Sequence, residues 1–450
     1  MSKIFVDQVD PKTATTLTLG TTGDTVTVPT GVGLTATDEV KTNKISPATG
    51  TAFTLGDSGD TFTVPSGATI ANSGTATGFG ITAASFRPNV NPLIINGNMQ
   101  IAQRVTSKTG VTNGDFGIWT CDRINFTESG TMSAVIDITQ EALTSGNAYT
   151  DGFSNAYKID VTTADASLAA DDFYRTNYRI EGQDLQVFKK GTANAEKFTL
   201  AFWAKATKTG TNIVELDDSD NGRHCCASYT IDTTNTWEHK VLNFPADTTG
   251  VWGNDNAQSL RINFVLGAGS NYTSGTLATS WATTSNANLA VGQVNNFDST
   301  SNNVHITAIQ LEVGEYTSAT LPPFQHESYG DNLLRCQRYF TMYAEGAQAP
   351  VGNGLFWEAA EVMVTCHLPT TMRLEPPTIY QTTGTDYYFL YRNGAADGIS
   401  ELTLNASSSP NAITIYLNSG TNGLASDTKN RPCILRAGSA SAKFGLDAEL

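Results

Sequence analysis

The stretch Phe198–Leu216, FTLAFWAKATKTGTNIVEL, decides how the rest of the chain is read. Its first half alternates strictly. Phe198, Leu200 and Phe202 fall on one side, and Thr199, Ala201 and Trp203 on the other. A period of two over this length predicts a β-strand with one face in a core. The segment KTGTN then reverses the chain, and Ile213, Val214 and Leu216 run back, which predicts a hairpin near the centre of a sandwich. Working outward, similar short alternating runs recur at 117–128, 133–139, 155–163, 176–182, 226–231, 237–244, 260–268 and 304–314. They are separated by Gly, Asn, Thr and Ser turns. The expectation is an all-β protein whose residues 91–327 form a jelly-roll-like β-sandwich.

Beyond the sandwich, residues 328–450 hold one short helical pattern, YGDNLLRCQRYFTMY (329–343), with Asp331 or Asn332 as the expected cap. More strand-like runs follow it, so a smaller C-terminal β domain is predicted. Before the sandwich, residues 1–90 contain a repeat. TLTLGTTGDTVTVPTG (16–31) matches AFTLGDSGDTFTVPSG (52–67) at an offset of 36 residues. One such hairpin cannot bury its apolar row alone. Three copies of the chain wound together would bury Leu17, Leu19, Val26, Val28, Phe53, Leu55, Phe62 and Val64, so this region reads as the shaft of a homotrimer.

The chain has 450 residues, a formal net charge of −16 and only 16% charged residues, with 39% hydrophobic residues to fill real cores. An acidic surface repels phosphate backbones, which argues against nucleic acid as a partner. No apolar run has membrane-spanning length, and MSKIFVDQVDPKT lacks the apolar segment of a signal peptide. The six cysteines, Cys121, Cys225, Cys226, Cys336, Cys366 and Cys433, show no zinc-site spacing and read as small buried hydrophobes. The adjacent Cys225 and Cys226 must point to opposite faces of a strand.

The ordered set LIINGNMQIAQR, WTCDRI, FTLAFWAKATKTGT, TWEHKVLNFPADTTGVW, ITAIQLEVGEYTSATLPPFQHESYGDNLLRCQRYF and TMRLEPPTI, spanning roughly residues 90–380, resembles tail-fibre and related receptor-binding structural proteins of bacteriophages, those of marine and cyanobacterial phages above all. The resemblance implies a trimeric virion protein with a sandwich similar to carbohydrate-binding modules. The implied partners are its own copies, other virion proteins through the N-terminal region, and a host surface polysaccharide. Alternatives are a capsid fibre or decoration protein and a glycan-cleaving tailspike-like enzyme.

The residues give no catalytic signature: no phosphate loop, paired-His motif or Gly-x-Ser-x-Gly elbow. No enzyme activity, cofactor or metal is therefore expected. The acidic run ELDDSDNGR (215–223) departs from an EF-hand loop and reads as solvated. His326, in PPFQHESYG, reads as a structural residue capping or bridging the two domains, and Trp237 as core. Sugar recognition calls for exposed rings beside amides and carboxylates. The candidates are Tyr380, Tyr387, Tyr388, Tyr391 and Trp357 in the last domain, and Trp252, in GVWGNDNAQ, in the sandwich.

Overall fold

In the computed structural model, residues 91–405, 409, 411–420 and 422–450 are described. The repeat and its eight packing candidates, Leu17 to Val64, lie outside these residues.

The inward row of Phe198–Ala206 does enter a core, but its return strand does not pair with it. One six-stranded sheet runs, edge to edge, Ser107–Val111, Val135–Ala142, Asn155–Thr163, Asn303–Val313, Phe198–Ala206 and Glu238–Phe244. The other runs Ala282–Thr283, Arg223–Ile231, Gly210–Asp218, Gln258–Ala268, Phe173–Glu181 and Ile124–Ser129. All neighbours are antiparallel. The expected hairpin is thus an arch that crosses between sheets. Phe198, Leu200 and Phe202 face Val214 and Leu216 across a shared interior that also holds Tyr174, Tyr178 and Phe264. Alternation cannot tell a hairpin from an arch, because both put one row in the same core. The crossing is fixed by distant residues. Thr207 N–H donates to Asn303 O at 3.1 Å, and Lys208 pairs with Asp298. Gly210 has φ +125°, where a Cβ would come within 2.7 Å of Val294.

The C-terminal part is built from two more antiparallel sheets. Three strands run in the order Phe340–Glu345, Lys443–Asp447, Thr378–Gln381. Seven run Ala395–Ile399, Tyr388–Arg392, Pro432–Ala437, Pro350–Glu358, Glu361–His367, Ala412–Asn418, Thr403–Leu404. Their core contains Val351, Phe356, Val362, Val364, Tyr388, Leu390, Ile413, Ile415, Leu435 and Phe444. The helix between the two parts is shorter than its pattern, spanning Tyr329–Gln337. Its cap is Ser328, whose Oγ accepts from Asp331 N–H, and not Asp331 or Asn332. Asn332 is instead buried, and its Oδ1 accepts from Asn96 N–H at 3.0 Å.

The sandwich and the C-terminal sheets belong to one compact unit, and polar contacts cross between them. Arg338 forks onto Glu181 at 2.9 and 2.7 Å, and the Tyr339 hydroxyl donates to the same carboxylate at 2.5 Å. Arg104 lies over the Phe340 ring and pairs with Asp447 at 2.8 Å. Asn256 Nδ2 donates to Arg373 O at 2.7 Å. Two-pronged Arg–carboxylate bonds fix direction as well as distance, so the junction is aimed as well as tight.

Candidate functional site

The outward row of Phe198–Ala206 carries one ring, Trp203. Trp203 pairs in register with His239 on the adjacent strand, and their rings lie 5.1 Å apart at 32°. Across the other neighbour the register slips between Thr307 and Gln310. Ala308 sits in this bulge with φ +56°, a conformation that costs energy for a residue with a Cβ. The bulge is seated from below by the Asn96-Gly97 turn. Ile309 N–H donates to Gly97 O at 2.9 Å, and a Cβ on Gly97 would lie 2.2 Å from Ile309 O. The small Ala308 and the buried Gln310 consequently form a floor beside Trp203. The Gln310 amide is held by Pro322 O at 3.1 Å.

Two loops wall this floor. One brings Asp151 and Phe153, the other Phe324 and His326. Phe153 meets Phe324 edge-on at 5.0 Å and lies 5.1 Å from His326. Together with Ser318, Leu321 and the two prolines Pro322 and Pro323, these residues enclose a cavity of about 410 Å³. The protein packed around the His239 ring lowers its pKa, and the Asp151 charge opposes that shift. Its neutral imidazole therefore offers one donor and one acceptor at neutral pH. A cleft with an apolar ring lining and a few fixed polar groups suits a ligand that has both apolar C–H faces and hydroxyls.

The nominated residues do not come together. Trp252 is 4% exposed and packs edge-on against Phe188 and Phe198, so it is excluded as a sugar platform. It is instead one wall of a closed cage. The Lys190 ammonium sits 5.3 Å from the Trp252 ring and 5.0 Å from the Trp281 ring. It pairs with Asp218 at 2.5 Å and Asp247 at 3.0 Å, and donates to the Thr249 and Gly250 carbonyls. The acidic run 215–223 is solvated only at its 219–222 turn: Asp218 is fully buried on Lys190, and Asp217 pairs with Arg261 at 2.8 Å.

Tyr388 is also excluded, being fully buried with its hydroxyl donating to Lys443 O at 2.5 Å. Tyr387 is half-buried against the C-terminal core. Tyr380 sits in the three-stranded sheet, edge-on to Phe340 at 5.3 Å, and lines a junction hollow of about 310 Å³ with Phe116 and Trp119. Trp357 is 51% exposed, with the Lys429 ammonium 5.7 Å from its ring. Tyr391 lines an open hollow of about 550 Å³ with Asn353, Asn393, Pro432 and Ile434, and it is the single aromatic residue of that lining. His326, read from sequence as a domain bridge, belongs to the Trp203 pocket, and the bridging is done by Arg338, Arg104 and Arg373. Trp237 is 5% exposed, as expected of a core residue. The signal that could have found the pocket was the outward place of Trp203 in FTLAFWAKA; its pairing with His239 was not legible locally.

No family model matches the sequence, and no curated protein matches it. Among solved structures, the tailspike protein 4 enzymatically active domain of bacteriophage CBA120 is similar over 49% of this chain at 14% identity and TM-score 0.26. The match spans 21% of that tailspike chain. A putative sugar binding protein from Bacteroides thetaiotaomicron is similar over 50% of this chain and all of its own, at 14% identity and TM-score 0.26. A family 11 carbohydrate-binding module of a Clostridium thermocellum cellulase is similar over 48% of this chain and 98% of its own, at 12% identity and TM-score 0.22.

Proposed function

We propose that the chain is a structural phage-fibre protein that binds a host surface glycan in the Trp203 pocket. The observation that carries this reading is the meeting of Trp203, His239, Phe153, Phe324 and His326 around one cleft with the Gln310 amide at its floor. Ring faces there would receive the C–H face of a pyranose, and Gln310, Asp151 and the two imidazoles would bond its hydroxyls. The ordered motifs that resemble phage receptor-binding proteins support a place in the virion, with residues 1–90 as attachment shaft and trimer-forming segment. Weak binding at one pocket becomes firm adhesion when three copies act together, because the second and third contacts form at high effective concentration. The reading is one of binding and not cleavage. Glycoside hydrolysis in most families needs a pair of carboxylates, and the pocket lining holds one, Asp151.

The test is calorimetric titration of the full chain with polysaccharides from candidate host surfaces, repeated for Trp203→Ala. Binding by the native chain that is lost in the variant supports the proposal. Equal binding by both moves the site elsewhere, and release of new reducing ends would overturn the non-catalytic reading.

A further inference from the structure

The outer face of the second sheet gathers three metal-ligating side chains that the sugar pocket does not use. Glu215 and Cys226 are directly opposite each other in the pairing of Gly210–Asp218 with Arg223–Ile231. His224, two residues before Cys226, lies on the same face because strand side chains alternate. Cys225, between them, points into the main core. The three are at most 2% exposed. One donor atom from each lies within 4.8 Å of the other two.

A second observation is an orphaned polar group beside the cluster. Glu215 is a buried carboxylate, and the side chains bonded to its oxygens are His224, at 3.0 Å through Nδ1, and Asn263, whose Nδ2 donates at 2.7 Å. Among the described residues no lysine or arginine pairs with it. Ser285 N–H points at His224 Nε2 at 3.4 Å. The Arg175 guanidinium acts on Glu215 electrostatically without forming an ion pair with it. Asn263 is itself fully buried, and its Oδ1 has no hydrogen-bond partner.

We propose that Glu215, His224 and Cys226 hold a divalent transition-metal ion of the zinc class, with a structural role. Sulfur, imidazole nitrogen and carboxylate oxygen are a donor set that zinc accepts. Bond lengths of about 2.0–2.3 Å require the three atoms to close up by roughly 1 Å. Turning the Asn263 amide about its terminal torsion offers Oδ1 as a fourth donor beside Glu215, which would complete a closed site. On binding, Cys226 gives up its Sγ proton to solvent. Nδ1 would bind the ion with the imidazole proton on Nε2, and the long Ser285 contact is lost. The site lies beneath the segment whose Ala278 O accepts from Cys226 N–H, so loading accompanies folding.

The experiment is to unfold the full chain in urea under reducing conditions and refold it with one equivalent of Zn²⁺ or Co²⁺. We expect one metal per chain retained after desalting, a raised melting temperature, and a thiolate-to-cobalt charge-transfer band in the near ultraviolet. Cys226→Ser should abolish the band, while Cys433→Ser, at another buried cysteine, should keep it. A natively refolded wild-type chain without retained metal and without the band overturns the proposal, and so does a band that survives Cys226→Ser. The wild-type cobalt spectrum decides even where the variant fails to fold.

Discussion

The sandwich uses tryptophan in two opposite ways. Trp252 and Trp281 close around the Lys190 ammonium, which is also held by two carboxylates and two carbonyls. Trp203 stands beside His239 on an open cleft faced by Phe153, Phe324 and His326. Both places combine rings with polar groups. In the first the chain supplies its own cation and completes the site; in the second the polar groups face a cavity. Ring content alone therefore does not mark a binding site. What marks it is whether the protein has already satisfied the groups around the rings.

The comparison breaks most visibly at Lys190. Lys190→Met removes the cation and leaves Asp218 and Asp247 buried without it, which should cost about 3–5 kcal/mol of unfolding free energy in urea titrations. A loss below about 1 kcal/mol would mean that the cage is not a structural device. Next comes Trp203→Ala, for which the expectation is at least a tenfold loss of glycan affinity, about 1.4 kcal/mol. The urea midpoint should move far less than in Lys190→Met, since Trp203 is half-buried at the cavity edge. Trp252→Phe sharpens the contrast: stability should fall through the loosened cage, with glycan affinity unchanged in the folded fraction. Tyr391→Ala, on the C-terminal sheet, removes a half-buried ring that accepts from Gln348 and lies under Arg436, so stability should fall by roughly 1 kcal/mol while glycan affinity stays unchanged. A loss of glycan binding in Tyr391→Ala would transfer the site to that sheet.

The smallest effect concerns pH. The His305 imidazole, with Nε2 2.9 Å from the Glu141 carboxylate, holds the Glu141 pKa down at about 2 against the opposing effect of partial burial. An unfolded glutamate titrates near about 4.3. A depressed folded value means stability that is present above the unfolded pKa and lost as pH falls toward about 2. Glu141→Gln should melt somewhat lower than the native chain at pH 6, and the difference should vanish near pH 2. A difference that persists in acid would assign the effect to packing.

Much of the architecture was legible because alternation is a local signal. The runs 155–163, 260–268 and 304–314 correspond closely to strands Asn155–Thr163, Gln258–Ala268 and Asn303–Val313. The opposite faces of Cys225 and Cys226 followed from the same rule. The arch at 207–209 was not legible, because partners for Gly210–Asp218 come from residues 223–231 and 258–268. The pocket escaped for the same reason. Trp203 meets His239 through strand register, and the Ala308 bulge depends on Gly97, some two hundred positions earlier. Trp252 misled because GVWGNDNAQ has the composition of an exposed loop. Its burial comes from Phe188, Lys190 and Phe198, which contribute nothing to a local pattern.

The bridging contacts at Glu181, Asp447 and Arg373 have a consequence for how the cleft is presented. A binder carried on a hinge samples a cone of orientations and surrenders that freedom on contact, an entropic penalty that weakens capture. Here Arg338 on Glu181, Arg104 over Phe340 and Asn256 on Arg373 have removed the hinge beforehand. The cleft keeps one bearing relative to the C-terminal sheets, so whatever those sheets rest against sets the direction in which the cleft looks.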